Sequence, residues 1–343
     1  MRRIRSIVIA VGILGLLVFG LGLHRVTIVA LREPPRVVWK ASYGTSSNRV
    51  GESIGLDGRH YGPLAFALLG KRLVVADSYN NRIIVRAHHS QVLEAAPLMV
   101  EDVAVTPSGA ILVADNRQLG VWRLGSGRIS RLIKIPQEKG VTEAIWHLGV
   151  GPEGQIVVQV LGFGQGQYQM MLNEYNRKGQ FVRELARAQG GENAGLTPLA
   201  GHGPIGILQS FEISPSGELY VVPPSHQRYH RHIDVYRWDG QYVSQISIKS
   251  PIPILESCLL GVNRMGWAYV GINLTYPHRA RVLVVSPAGT LINDIEVHAV
   301  PIYSAVYGRV SPEGNLYLVQ SSIHHYVIDC WALTSRKAWR WSL

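Results

Sequence analysis

The chain has 343 residues, 47% hydrophobic and 17% charged, which excludes general disorder and suits one large repeat domain or two ordinary ones. Its net charge of +11 favours an anionic partner. Lys and Arg are nevertheless spread along the chain, with no basic-aromatic RNA motif and no zinc finger, so no nucleic acid is expected as partner.

Arg2, Arg3 and Arg5 precede an uncharged apolar run over residues 7–23, and residues 26–31 are apolar again after His24 and Arg25. That run is at the short end of a membrane span. It is too long for a signal-peptide core, and neither a small-x-small cleavage site nor a cysteine follows it. Residues 1–31 are therefore predicted to form a retained signal anchor, one transmembrane helix, with cleavage as the alternative. The basic amino terminus favours the cytoplasm, whereas Arg25, Arg32 and Arg36 argue the other way. The leader-like order of basic, apolar and polar segments places the C-terminal domain outside a cell membrane crossed once. Residues 32–36, with Pro34 and Pro35, read as a short stiff linker.

A repeat follows: a short apolar strand, a Gly-containing turn and a second apolar strand. It spans residues 102–116, 147–161, 210–224, 259–273 and 307–321, with a looser first copy at 63–78. The turn glycines are Gly70, Gly109, Gly154, Gly217, Gly266 and Gly314, at successive spacings of 39, 45, 63, 49 and 48 residues. These match propeller blades, with an insertion in the longest interval. Pro-Ser-Gly and Pro-Glu-Gly suit tight turns, because Pro presets φ and Gly takes φ > 0. A second Gly turn often follows, as at Gly127, Gly179, Gly240 and Gly289. Four strands per unit and six units predict an all-β, six-bladed β-propeller over residues 37–343. The blades fall near 59–97, 98–137, 141–187, 205–250, 255–298 and 302–343. Residues 37–43 are strand-like and expected to close the ring beside residues 337–343.

The segment 75–84, VADSYNNRII, resembles the NHL-repeat signature, in which a strand ending in V-x-D-s leads through an N-R-I turn to the next strand. Residues 111–115 repeat half of it, and the other four copies keep only the apolar skeleton. The resemblance implies an NHL-like propeller; such propellers include both binding modules and enzymes. It also implies that Asp77 and Asp115 hydrogen-bond backbone at strand ends.

In such a ring the tight turns share one face, and the longer second-to-third-strand loops and blade connections share the other, where binding usually resides. The expected ligand face carries Arg82, Arg117, His226, Arg228, His230, His232, His278, Arg279, His324 and His325, with Tyr79, Tyr168 and Tyr276 beside them. Arg and His there would meet acidic groups and Tyr would stack. Residues 190–204 form a Gly-rich insertion placed as a lid on that face. The expected function is an extracytoplasmic binding or assembly module for an anionic or carbohydrate-like ligand, such as a polysaccharide, or for a protein partner, without a cofactor. The alternative is a metal-dependent hydrolase or lyase holding Ca²⁺ or Zn²⁺ in the channel through Glu101, Glu143, His147 and Glu212. Asp102, Asn263 and Arg309 share those inner strands, and Arg309 brings a cation. No G-x-S-x-G elbow or other nucleophile-base pair is evident. Cys258 and Cys330, 72 residues apart, form no C-x-x-C pair and read as two buried free thiols or, in an exported domain, a disulfide.

Overall fold

A computed structural model describes residues 31–32, 35–54, 60–86, 90–94, 98–125, 128–137, 142–164, 167–191, 197–198, 205, 210–225, 227–274, 280–297, 302–303 and 306–334. Among them six antiparallel sheets form the blades of a propeller, innermost strand first. Blade one is Ala65–Leu69, Arg72–Asp77, Arg82–Arg86 and Ser90–Glu94; blade two is Val100–Val105, Ile111–Asp115, Gly120–Gly125 and Arg128–Lys134. Blade three is Thr142–Val150, Ile156–Gly164, Gln167–Tyr175 and Phe181–Gly191, with a short fifth strand Thr197–Pro198. Blade four is Ser210–Ile213, Leu219–Val222, His230–Tyr236 and Tyr242–Lys249; blade five is Ser257–Val262, Ala268–Ile272, Ala280–Val285 and Leu291–Val297. Blade six takes Gly308–Val310, Leu316–Val319 and His325–Trp331, and its outermost strand is the N-terminal Arg36–Ser42.

The turns follow from their residues. In blade two the Gly109 amide donates to the Thr106 carbonyl, and Thr106 Oγ1 accepts the Ala110 amide at 3.0 Å. Ser214, Asn263 and Ser311 repeat this bond before Gly217, Gly266 and Gly314. All six turn glycines have positive φ, from +59° at Gly70 to +94° at Gly314. The second strands are buried on both sides: every residue of Ile111–Asp115 and of Ala268–Ile272 is buried. That is why they read as continuous apolar runs rather than as alternation. Six apolar clusters fill the clefts, each joining two neighbouring blades; one joins Tyr220 and Ile246 of blade four to Leu259 and Val270 of blade five.

Closure differs from the expected pairing. Arg36–Ser42 pairs with the third strand of blade six, Arg36 opposite Cys330 and Ser42 opposite His325, because that strand still offers an open edge. Residues 337–343 lie outside the described residues. Leu31–Arg32 pairs with Leu333–Thr334, so Arg32 belongs to sheet rather than to linker. Of the predicted anchor over residues 1–31, residues 1–30 lie outside the described residues, among which no helix is long and apolar enough to cross a membrane. Part of the long interval between Gly154 and Gly217 is taken up by the longer strands of blade three; residues 192–196 and 199–204 of the expected lid are outside the described residues.

The NHL-like segment works as a clasp on the closing connection. Asp77 Oδ1 accepts the Gly51 amide at 2.7 Å, and Oδ2 accepts Asn80 Nδ2 and Arg82 Nε at 2.9 and 2.7 Å. The Arg82 guanidinium also donates to the carbonyls of Thr45, Ser46 and Arg49. Asp115 takes the Met99 amide and Asn273 the Leu255 and Glu256 amides, so each strand-end side chain ties down the connection entering its blade. Cys258 and Cys330 are free thiols in blades five and six.

Candidate functional site

Four charged side chains from four blades meet across the central channel. His147 Nδ1 of blade three lies 2.7 Å from Asp102 Oδ2 of blade two, which also accepts the Leu148 amide at 2.8 Å. Arg309 of blade six donates to Glu212 Oε1 of blade four at 2.7 Å and to the Phe66 carbonyl of blade one at 3.1 Å. Its second terminal nitrogen is 3.5 Å from Asp102 Oδ1, and His147 Nε2 is 3.5 Å from Glu212 Oε1. The contacts form a closed circuit of two acids and two bases touching five of the six blades.

Burial pushes the Asp102 carboxyl up, but the His147 charge and hydrogen bond, with Arg309 and the Leu148 amide, outweigh it and hold Asp102 below its ordinary value. Burial likewise pushes His147 down, and the Asp102 charge and hydrogen bond with Glu212 reverse this, raising it to about 9. His147 is therefore an imidazolium at neutral pH, and the circuit carries no net charge.

A pH dependence follows. The His147 contribution to stability is complete below its ordinary pKa of 6.5 and is lost as pH rises through about 9. The Asp102 contribution is present above its ordinary 3.8 and is lost as pH falls below it. The thermal midpoint should therefore decline between pH 6.5 and 9, and His147→Gln should flatten that decline. An unchanged alkaline slope in His147→Gln would show that another group titrates.

Two β-bulges border this circuit. In blade two the register shifts between Val113 and Asp115, and in blade three between Ile145 and His147. Asp102 and His147 stand at the same distance before the turn glycines Gly109 and Gly154, and the extra residue beyond His147 reverses the alternation and separates Glu143 from it. Glu101, expected in the channel set, is outside the circuit; burial, then the Asp102 charge, pushes it up to about 7. Glu143 pairs with Gly162, beyond the bulge from His147, and lines a different cavity between blades two and three. Among the described residues no group of three or more His, Cys, Asp or Glu side chains is placed to hold a metal ion. The residues present do not fit the Ca²⁺ or Zn²⁺ site of the alternative reading, since Glu212 is bonded to the Arg309 guanidinium.

The circuit divides the channel. A cavity of about 260 Å³ lies on the loop-face side, floored by His147, Glu212 and Arg309 and walled by Trp146, Phe211, Leu259 and Tyr307. A second, of about 430 Å³, lies on the tight-turn side and reaches the same Glu212 and Arg309. Blade three stands above its neighbour blade two around the first: Ile156–Gly164 has 9 residues where the equivalent strand of blade two has 5. The four extra residues add roughly 13 Å of wall, tipped by exposed Phe163 and Tyr168 with ring centroids 4.8 Å apart.

Of the expected ligand-face residues, Arg117, Arg228 and His324 are exposed in second-to-third-strand loops, His230 is exposed at the start of the third strand of blade four, and His325 is half-buried beside His324. His232 sits 3.8 Å from Asp234. Arg82 is turned inward at 7% exposure, because Asp77 and three carbonyls satisfy its donors better than solvent at that turn. His226, His278 and Arg279 lie outside the described residues. Large apolar side chains join these charges: Met99, Trp146, Phe163, Tyr168, Tyr229, Leu255 and Ile323 are exposed on strands, loops and connections towards this same face.

No protein-family model and no curated protein matches the sequence. Among solved structures the chain is similar to a gluconolactonase from Xanthomonas campestris, at 15% identity and a TM-score of 0.46 over 89% of this chain and 100% of that one. It is similar to virginiamycin B lyase from Staphylococcus aureus at 12% and 0.47, over 80% and 95%. It is also similar to YCF48 bound to D1 peptide at 10% and 0.42, over 83% and 82%. At these identities the likeness is one of fold alone, and it is the chain's own six sheets that make it a β-propeller.

Proposed function

We propose that this protein is a membrane-anchored, extracytoplasmic NHL-like propeller that binds an anionic or carbohydrate-like ligand, or a protein partner, on its loop face. The observation that carries the reading is the division of labour between axis and face. The axial charges neutralise one another, while exposed Arg117, Arg228 and His230 share the loop face with exposed Trp146, Phe163, Tyr168 and Tyr229. Aromatic faces beside fixed cations suit sugars bearing carboxylate or sulfate groups. This supports binding over the metal-dependent alternative, whose His147 and Glu212 are engaged by Asp102 and Arg309.

A sulfated oligosaccharide of the heparin type, titrated into the full chain, tests this. Its affinity should fall as salt rises, because the attraction is partly between exposed charges. The double variant Arg117→Ala/Arg228→Ala should weaken it about tenfold, or about 1.4 kcal/mol. Phe163→Ala/Tyr168→Ala should weaken an uncharged oligosaccharide as well. Binding that ignores all four substitutions would move the site off this face. Protease protection in intact cells tests the expected topology, with an external propeller being cleaved.

A further inference from the structure

A separate cavity of about 510 Å³ lies between the outer strands of blades two and three, away from the axis. The register of blade three sets Met171 opposite Arg187, Asn173 opposite Glu184 and Tyr175 opposite Phe181, so these residues form its wall. Ile135 and Pro136, on the connection leaving blade two, close the other side.

The interior offers acceptors. Asn173 is 8% exposed, and its Oδ1 has no hydrogen-bond partner. A buried acceptor left without a donor is costly, so such a cleft favours a guest that brings one. The Glu143 carboxyl group lines the same space, and its Oε2 is buried there. Tyr175 and Phe181 pack edge to face at 5.8 Å and, with Met171, give an apolar and aromatic side. Burial pushes the Tyr175 phenol up to about 12, so it stays neutral. The rim is different: Lys134 is exposed there, while Arg187 and Glu184 are bonded to each other at 2.7 Å.

We infer that this cleft binds a small amphoteric molecule: a primary ammonium enters against Asn173 Oδ1 and the Glu143 carboxylate, an aliphatic stem lies along Met171, Tyr175 and Phe181, and a carboxylate stays at the rim beside Lys134. The aromatic wall gains from a cation on a hydrophobic stem, and the Lys134 ammonium gains from an anion.

The probe is 6-aminohexanoate, with hexylamine and hexanoate as its two halves, titrated calorimetrically into the full chain. The amino acid should bind, hexylamine should bind about tenfold more weakly, and hexanoate should give no heat over the same range. Asn173→Leu should weaken 6-aminohexanoate about tenfold, and Lys134→Ala should reduce it to the level of hexylamine. Lys134 is exposed, so its loss leaves the fold intact and decides the matter should Asn173→Leu fail to fold. Absence of heat from 6-aminohexanoate at about 10 mM, equal binding of hexanoate, or an affinity unchanged in Lys134→Ala overturns the assignment.

Discussion

Arg309→Met should destabilise the propeller by about 3 kcal/mol, read as a lower urea midpoint at pH 7. The substitution keeps most of the volume of the side chain but strips Glu212 of its 2.7 Å partner and Asp102 of its second cation. Both carboxylates sit in a water-poor channel, with side-chain exposures of 15% and 1%. A buried charge that has lost its partner costs far more than the pair contributed together. It follows that Arg309→Met/Glu212→Gln should recover a large part of the loss, since it removes the stranded charge as well. Close neighbours of this kind do not add, and the double variant measures the coupling directly. A single variant within about 0.5 kcal/mol of the parent would mean that the axis is solvated enough for the circuit not to matter.

Asp77→Ala is expected to cost about 3–5 kcal/mol and to loosen the ring at its closure. Asp77 is fully buried and meets three donors, and Arg82, its ion-pair partner, holds three carbonyls of the connection between blades six and one. Without the carboxylate, the Arg82 guanidinium is buried uncompensated and the Gly51 amide loses its acceptor. Amide hydrogen exchange should accelerate first over residues 44–51 and the strand Arg36–Ser42, before the inner strands respond. Asp77→Asn, which retains one acceptor for Gly51, should lose less. Uniform acceleration across all blades would mean that the clasp is not a local device.

The sequence made some parts of this molecule plain and hid others for physical reasons. The six turns were legible because positive φ at Gly109, Gly154 or Gly217 has to be written into the chain as glycine. The fully buried second strands were legible as apolar runs. The axial circuit was only half visible. Counted back from Gly109 and Gly154, Asp102 and His147 stand at the same position, so that pair was legible in the repeat, whereas the extra residue beyond His147 separates Glu143; a bulge leaves no fixed residue signature. Arg82 was read as a ligand-face cation because it follows Asn80 and Asn81 in a turn. Its burial depends on carbonyls more than thirty positions upstream, which no local pattern announces. The closing strand was anticipated but not its partner, since the open edge of blade six exists only in three dimensions.

The direction of that closing strand has a consequence for how the protein is displayed. Ser42 pairs with His325, where the third strand of blade six leaves a loop on the binding face, and Arg36 pairs with Cys330 towards the opposite end. The strand thus climbs from the tight-turn side to the loop side, with Arg36 at its tight-turn end. Were the protein held in a bilayer through residues 1–31, as the sequence predicts, the membrane would lie nearer that end. The propeller would stand on its tight turns like a cup on a stem, its aromatic and basic rim facing away from its own membrane. A ligand of that rim would have to arrive from the space beyond or from an opposing surface, whereas a neighbour embedded in the same bilayer would meet the tight turns and the outer walls of the blades.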